Sequence, residues 1–274
     1  MITRTAEQIR NHYEIEKELA NKLRLASKDE RSKLYSQVYD ELFSSVPDHP
    51  QLTEKSTPEE NRKRTLGQFR FLEPLLTAED TYLEIGPGTC ELARHVATKV
   101  KHVYAADVSD VVAQGASFPD NMDFVLSDGT NISVPENSID LAFSNQLMEH
   151  LHPDDAIEQL QEIYKALKPD GRYLCITPSR LSGPHDVSGY FEQEASCLHL
   201  KEYGYKEIWG LFQAAGFRNF SIIIGYRGWG VRTPLSVGRF VETIVECTPA
   251  SIRRVVARIP PIRLALGIKL IATK

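Results

Sequence analysis

The sequence predicts an α/β fold with a doubly wound, mostly parallel sheet of seven strands, a helical segment before it and an insertion before its last strand. From Thr81 onward, short apolar runs alternate with helical segments of about 10–15 residues, the pattern of parallel βαβ units. The first run ends in glycines that lead into a helix. Since residues 1–78 show helical periodicity alone, we divide the chain into 1–78 and 79–274.

Three helices are predicted in residues 1–78. Apolar residues recur at helical spacing up to about residue 25, and Leu34, Val38 and Leu42 are spaced by four in a second helix, 29–43. The third helix, 58–76, begins after Thr57 with a first-turn proline and early acids.

Residues 79–274 contain the predicted sheet. Its strands are 82–85, 102–106, 122–126, 139–143, 173–177, 220–224 and 266–273. Four helices are predicted between the strands. The first follows the first strand and ends near Val100, and the others cover 109–114, 154–167 and 201–215. A turn at 168–171 ends the third of these. Residues 228–264 form the insertion, which is partly helical around 248–258.

The strongest motif is Glu84-Ile85-Gly86-Pro87-Gly88, where a strand runs into glycines and then into a helix. Glycines let a ligand approach the backbone, and the helix N-terminus offers unpaired N–H groups. The carboxylate of Glu84 would repel a pyrophosphate but suits a cationic amine or sulfonium. A third glycine is absent from 89–91, which also argues against a dinucleotide site.

Three further segments follow the ends of predicted strands. Asp107 comes 19 residues after Gly88, the spacing of an acid that binds ribose hydroxyls; a helix N-cap is the alternative. Asp128-Gly129 follows the third strand. The Asp128 carboxylate is predicted to accept a hydrogen bond from an adenine amine; a turn aspartate is the alternative. Residues 144–150 leave the fourth strand. Because ligands bind outside the carboxyl ends of such strands, all these segments converge on one crevice.

With these motifs, residues 81–179 resemble the core of class I S-adenosylmethionine-dependent methyltransferases of the small-molecule acceptor type, whose sheet is Rossmann-like. The resemblance implies that the glycines line the methionine moiety near Glu84, that Asp107 holds the ribose, and that Asp128 faces the adenine amine. It also implies that the backbone of Asn145 faces the cofactor amino group. The implied cofactor-binding set is Glu84, Gly86, Pro87, Gly88, Asp107, Asp128, Gly129 and Asn145.

The segment 179–199 resembles the region that closes over the acceptor in small-molecule methyltransferases. Methyl transfer is an in-line displacement, so the enzyme mainly positions the acceptor and excludes water. An alcohol acceptor also needs a base, and His150 and His185 are the candidates; structural or surface histidines are the alternative. No pair of histidines or acids has a tight ligand spacing, so no metal is predicted.

The resemblance gives the helices of 1–78 the role of a lid, with Tyr13, Arg64 and Arg70 reaching the cofactor carboxylate or the acceptor. Plain packing is the alternative. The insertion is expected beside the acceptor entrance or in a homodimer contact. Its arginines would present a positive face to an anionic acceptor, or only balance the acidic core. These arginines are Arg232, Arg239, Arg253, Arg254 and Arg258.

Charge and composition exclude several classes of protein. The formal net charge is −5, with +7 in residues 227–274 and −12 in the remainder, so a nucleic-acid partner is not expected. The four cysteines are scattered, no secretory signal is expected from the polar first residues, and no apolar run is long enough to span a membrane. We therefore expect a cytoplasmic protein.

The leading functional hypothesis is S-adenosylmethionine-dependent transfer of a methyl group to a hydroxyl or amine of a small molecule, such as a sugar, a natural product or another metabolite. One alternative is a nicotinamide-dependent oxidoreductase on the same fold, against which Glu84 and the missing glycine argue. The other is a protein that binds S-adenosylmethionine without catalysis. Fold alone does not decide between them.

Overall fold

A computed structural model describes residues 4–53, 57–109 and 117–274 of the chain. The helices in this part are α1 (Ala6–Leu25), α2 (Lys28–Ser45), α3 (Pro50–Thr53), α4 (Pro58–Leu72), α5 (Glu91–Ala97), α6 (Pro153–Ala166), α7 (Tyr205–Ala214), α8 (Leu235–Glu246), α9 (Ala250–Ala257) and α10 (Pro260–Leu266). Short 3₁₀ turns cover Glu73–Leu75, Met148–His150 and Val187–Tyr190.

A single sheet runs through the described residues. Its strands are β1 (Thr81–Ile85), β2 (His102–Asp107), β3 (Met122–Leu126), β4 (Ile139–Asn145), β5 (Leu167–Thr177), β6 (Arg218–Tyr226), β7 (Trp229–Pro234) and β8 (Ile268–Thr273). They lie in the order β3-β2-β1-β4-β5-β8-β6-β7. The first five are parallel, whereas β8 is antiparallel to β5 and β6, and β7 is antiparallel to β6. The predicted α/β class with a mostly parallel sheet is confirmed.

The sheet has eight strands where the sequence predicts seven. The additional strand, β7, lies in the predicted insertion and pairs with β6 through a tight turn. Arg227 and Gly228 form that turn with φ of 52° and 83°. An edge strand needs no buried face, and Trp229 and Val231 are both exposed. The apolar pattern of β7 is therefore weak in the sequence. With β7 assigned to the sheet, the rest of the predicted insertion consists of the three helices α8–α10.

Other boundaries also differ from the prediction, and one predicted element cannot be compared. The predicted turn 168–171 lies inside β5, in an irregular stretch between the residues that pair with Ile139 and Leu141. Helix α7 begins at Tyr205 rather than 201, because Glu207 accepts a hydrogen bond from the Gly204 N–H at 2.9 Å and fixes the start there. Most of the predicted helix 109–114 falls on 110–116, outside the described residues.

The two faces of the sheet carry separate hydrophobic cores. Helices α4 and α5 contribute to one of them, which includes Tyr82 of β1. Helices α1, α2, α6 and α7 contribute to the other, in which Leu19 and Val38 are buried with Leu83 of β1. The N-terminal helices α1 and α2 thus share a core with the sheet. No helix in the described part of the chain is both long and apolar enough to cross a membrane.

Candidate active site

The glycine loop lies at the carboxyl end of β1. Gly86 and Gly88 have φ of 69° and 52°, in the left-handed region that favours glycine. A Cβ on Gly88 would meet no atom within 4 Å, whereas one on Gly86 would come 3.2 Å from a Leu147 methyl carbon. Pro87 accepts a hydrogen bond from the Cys90 N–H at 3.0 Å, which closes the turn into α5. The loop therefore leaves open space above Gly88 for a ligand.

The carboxyl group of Glu84 is buried and has little hydrogen bonding to stabilise its charged form. Its side chain is 6% exposed, and in the described part of the chain its hydrogen-bond partner is the Tyr82 hydroxyl at 3.4 Å. Burial raises the pKa of Glu84 to about 8. A cationic ligand beside this group would restore its charged form, so the site suits an ammonium or sulfonium and disfavours a pyrophosphate.

Asp107 ends β2 and faces the same loop. Its carboxylate accepts hydrogen bonds from the Gly88 N–H at 3.3 Å and the Ser109 N–H at 3.2 Å. Burial raises its pKa despite these bonds. Asp107 also lines a cavity, which leaves its carboxylate accessible to a ligand hydroxyl.

The cavity beside Asp107 is small and roofed by α2. It has a volume of about 60 Å³. Its lining includes Tyr35, Tyr39, Gly86, Ala106, Asp107, Ser127, Gly129, Leu147, His150 and Gln159. The Tyr35 ring packs so closely on Gly129 that a Cβ there would lie 2.8 Å from it. The residues present fit S-adenosylmethionine, namely an open glycine loop and two acids, but the space holds only about two water molecules.

Two further predicted cofactor contacts, Asp128 and Asn145, lie just beyond the end of β3 and at the end of β4. Asp128 Oδ1 accepts hydrogen bonds from the N–H groups of Thr130 and Asn131, at 2.9 and 2.7 Å, as a turn aspartate does. Its neighbours Ser127 and Gly129, rather than Asp128, line the cavity. Asn145 is the last residue of β4, and Gln146 after it has φ of 56° and lines a second cavity.

A buried ion pair holds α2 against α6. Arg31 donates to both oxygens of Asp155, at 2.7 and 2.6 Å, and the Tyr35 hydroxyl donates to the same carboxylate at 2.6 Å. Burial alone would raise the pKa of Asp155, but these two partners hold it below its ordinary value. The Tyr35 hydroxyl also accepts from the His152 N–H at 2.9 Å. The ring that roofs the cavity is therefore fixed at its far end.

A second cavity, of about 620 Å³, lies next to the first. Five histidines line it, together with two acids: His12, His49, His150, His185, His199, Glu16 and Asp186. Tyr39 and His150 line both cavities and so stand between them. The second cavity is large enough for a small molecule, and it brings the predicted base candidates His150 and His185 together.

His150 has one ring nitrogen engaged. Its Nδ1 lies 3.0 Å from the Leu198 carbonyl oxygen and 3.1 Å from the Tyr39 hydroxyl. Since a carbonyl only accepts, Nδ1 carries the proton and the lone pair of neutral His150 is on Nε2. Burial, and then the nearby His199, lower the pKa of His150 to about 4. The ring is neutral at physiological pH and is oriented by its partners.

Glu202 binds the other two histidines of this wall. It accepts from the backbone N–H of His185 at 2.7 Å, and its two oxygens lie 3.2 Å from His185 Nδ1 and 2.8 Å from His199 Nδ1. Burial would raise the pKa of Glu202, but the two histidines hold it at about 2. His199 has a pKa above its ordinary value, because Glu202 and nearby acids outweigh its burial. Glu202 thus fixes the orientation of both rings.

Three groups among the described residues around this cavity have the donor types for a metal ion: His12, Glu16 and His49; Glu16, Asp186 and Cys197; and Glu149, His150 and His199. Ligand atoms of Glu149, His150 and His199 lie within 4.8 Å of one another. Glu149 is fully buried; one oxygen accepts from the Thr177 hydroxyl at 2.8 Å, and the other has no hydrogen-bond partner among the described residues. The sequence predicts no metal here, and that stays a prediction.

The side chains assigned to the N-terminal lid make other contacts. Tyr13 donates to Glu192 and packs its ring on Phe191 with centroids 4.4 Å apart. Arg64 and Arg70 line a separate cavity between α4 and the β6–β7 turn. None of these three lines either cavity described above. Their expected reach into the site is therefore not seen.

Three of the five insertion arginines donate to backbone carbonyls, and two of these three, Arg253 and Arg254, also line a cavity of about 680 Å³. Arg232 donates to the Ser221 hydroxyl at 2.8 Å, and Arg239 lies over the Trp209 ring. Arg253 donates to the carbonyls of Glu246 and Thr248, at 2.8 and 3.1 Å. Arg254 donates to the Gln193 carbonyl, and Arg258 to the Ser182 carbonyl at 3.3 Å. The first pair of bonds stabilises the α8–α9 connection. The last two tie α9 to the segment 179–199 that lines the second cavity.

Sequence reasoning missed Tyr35 and Tyr39, the tyrosines of α2 that line the first cavity. They are spaced by four and therefore share one helix face, a signal that the apolar stripe of Leu34, Val38 and Leu42 obscured. It also missed Glu202, which looks like a surface acid in the sequence. Its spacing of three from His199 agrees with the observed contact, but nothing in the sequence links it to His185.

A family model described as a methyltransferase domain matches residues 22–222 of the chain. Phosphoethanolamine N-methyltransferase 1 of Triticum aestivum is 31% identical over 101 residues, which cover 34% of this chain and 20% of that protein. The chain therefore spans about a fifth of the length of this curated relative.

Two solved structures are similar to this chain. A putative methyltransferase of Haloferax volcanii, in complex with the Trm112 methyltransferase activator, has a TM-score of 0.52 at 17% identity, covering 78% of this chain and 91% of that one. Phosphoethanolamine N-methyltransferase 1 of Haemonchus contortus, solved with phosphoethanolamine and S-adenosylhomocysteine, has a TM-score of 0.50 at 18% identity, covering 67% and 40%. At these identities they share the fold.

Proposed function

We propose that this chain, which belongs to the methyltransferase domain family and uses S-adenosylmethionine, methylates an amine or hydroxyl of a small molecule that carries an anionic group. The cavity of about 620 Å³ beside the glycine loop is the observation that carries this proposal. Its wall at His150 and Tyr39 also belongs to the cavity beside Asp107. An acceptor there would lie next to the cofactor, as an in-line displacement requires.

For the cofactor, we propose the glycine loop and the acids of β1 and β2. S-adenosylmethionine supplies an electrophilic methyl group on a sulfonium. Glu84 would pair with its cationic end and Asp107 would accept hydrogen bonds from its ribose. Ser127 and Gly129, which line the cavity, would face the adenine in place of the Asp128 carboxylate.

For the acceptor, the histidine-lined cavity offers groups of both signs. Glu16 and Asp186 suit an ammonium, whereas the histidines suit a phosphate or carboxylate. Such a wall favours a zwitterion or an anionic alcohol over a neutral one. The wheat relative is named for phosphoethanolamine, a phosphorylated amine of this type, which makes that compound the first acceptor to test.

His150 is the proposed base and α1–α2 the proposed lid. The Nε2 lone pair of His150 would take the proton that the acceptor loses. Its pKa of about 4 keeps this lone pair free at neutral pH. Helix α2 would exclude water through Tyr35 and Tyr39.

The oxidoreductase alternative conflicts with the same contacts. A dinucleotide would place a pyrophosphate at the glycine loop, next to the buried Glu84. A protein that binds the cofactor without catalysis would need neither the large second cavity nor an oriented histidine between the two cavities. The presence of both features therefore favours an enzyme.

Formation of S-adenosylhomocysteine from S-adenosylmethionine and phosphoethanolamine tests the proposal, with ethanolamine as the acceptor that lacks the anionic group. We expect turnover with the phosphorylated amine and much less with ethanolamine. His150→Gln should lower kcat by roughly 100-fold or more, with unchanged affinity for S-adenosylhomocysteine. His152→Gln is the matched control, since His152 caps α6 and lines neither cavity.

If phosphoethanolamine fails, a panel of phosphorylated and carboxylated amines and alcohols extends the same assay. Turnover confined to neutral acceptors would contradict the anionic class. Equal turnover in His150→Gln and the wild type would remove His150 as the base.

A further inference from the structure

The helices α8 and α9 leave a set of large apolar side chains outside the fold. Leu181, Val245, Ala257 and Leu266 form a small core beneath these helices. The opposite side remains exposed and is called the insertion face here. It consists of Val237, Phe240, Ile244, Ile252, Val255 and Ile259.

Spacing shows that the exposed residues form a stripe on each helix. Val237, Phe240 and Ile244 are separated by three and four residues on α8, and the same intervals separate Ile252, Val255 and Ile259 at α9. Residues at these intervals share one side of a helix. Phe240 and Val255 are 66% and 68% exposed, which is unusual for large apolar groups that repeat in register.

The charge of the segment 235–266 is positive. It contains five arginines and two acids. Glu242 is buried and accepts from the backbone N–H groups of Tyr205 and Lys206 at 2.9 and 3.0 Å. Glu246 pairs with Arg180. Both carboxylates are thus held within the fold, and the segment that carries the insertion face has a net charge of +3, from five arginines and two acids.

We propose that the insertion face binds an anionic lipid surface. Amphipathic helices with apolar residues on one side and arginines beside them bury that side at the boundary between headgroups and acyl chains. Anionic headgroups add an attraction to nearby arginines that salt weakens. The excess of positive charge argues against a second copy as the occupant, because a twofold contact through this face would bring like charges together.

The insertion face is also connected to the second cavity. Arg254 and Arg258 of this segment bind carbonyls of Gln193 and Ser182, on either side of the cavity-lining residues His185 and Tyr190. Docking on a lipid surface would therefore hold the acceptor side of the molecule near that surface. The proposal does not depend on the identity of the acceptor.

Flotation of the full chain with vesicles tests this surface. Vesicles of equal parts phosphatidylcholine and phosphatidylglycerol are compared with phosphatidylcholine alone, at low and high salt. We expect binding to the anionic vesicles, weaker at high salt, and a loss of at least about tenfold in Phe240→Ser/Val255→Ser. Leu25→Ser is the matched control, because Leu25 is exposed at the end of α1 and should leave binding unchanged.

Thermal melting and affinity for S-adenosylhomocysteine verify that each variant is folded. Binding equal to wild type in the double variant would overturn the proposal, as would wild-type protein that does not float with anionic vesicles. If that unbound protein sediments as a dimer and the double variant as a monomer, the insertion face is a contact between copies instead.

Discussion

Glu84 and Asp107 are carboxylates at neighbouring strand ends with unequal protein partners. Asp107 accepts from two backbone N–H groups, whereas Glu84 has a single long contact with a tyrosine hydroxyl. Both residues were predicted from the sequence, because their positions relative to the glycines are enough to suggest them. The sequence could not predict that Asp107 accepts more hydrogen bonds than Glu84. That difference depends on burial and on neighbours from other strands.

Asp107→Ala should weaken binding of S-adenosylhomocysteine by roughly tenfold to 100-fold. A hydrogen bond to a charged group contributes about 1.5–3 kcal/mol, and the substitution removes the proposed ribose acceptor. Isothermal titration measures the change. Asp123→Ala is the control, because Asp123 is an exposed acid on β3 that pairs with His102. Identical titration curves for the wild type and Asp107→Ala would contradict the ribose assignment.

Affinity for S-adenosylhomocysteine should rise with pH between about 6 and 8. The pKa of Glu84 is about 8 without ligand, so the group is mostly protonated at neutral pH. The ligand ammonium lowers that pKa, and binding therefore releases a proton below pH 8. The gain approaches tenfold per pH unit well below the pKa and disappears above it.

Glu84→Gln should remove this pH dependence. Titration in two buffers of different ionisation enthalpy counts the released proton directly. A wild-type affinity that does not change over this range, with no proton released, would show that Glu84 does not pair with the cationic end of the ligand.

At the scale of elements, α2 is attached to α6 by two ion pairs of different burial. Arg31–Asp155 is buried, and Lys28–Glu158 is on the surface. Sequence periodicity predicted α2 itself, but not its docking, because a long-range pair of charges leaves no periodic signal. The strand β7 was missed for a related reason. It is a strand because it pairs with β6, whereas its own sequence pattern does not indicate one.

Asp155→Asn should destabilise the protein by about 3–5 kcal/mol, because it leaves the buried Arg31 guanidinium without a counter-charge. Thermal or urea unfolding measures the loss, and hydrogen exchange should locate it in α1 and α2. Glu158→Gln breaks the exposed pair between the same helices and should change stability little. Equal effects of the two substitutions would mean that α2 docks through apolar packing alone.

At the scale of the whole molecule, the alternating elements were enough to predict the α/β class and the mostly parallel sheet, and they place the candidate site at the carboxyl ends of the strands. They were not enough to predict the second cavity. Its wall combines α1, the 3₁₀ turn Met148–His150 and the segment 179–199, which are distant in sequence. The composition shows that the C-terminal stretch is basic, but it does not reveal that Arg253, Arg254 and Arg258 donate to backbone carbonyls.

The narrow space under Tyr35 has a kinetic consequence. A cavity of about 60 Å³ is too small for a nucleoside, so we expect α2 to move before the proposed cofactor binds. The observed association rate would then level off at high ligand concentration, at the rate with which α2 opens. Release of the spent ligand would pass through the same opening, so we expect the movement of α2 to limit turnover as well.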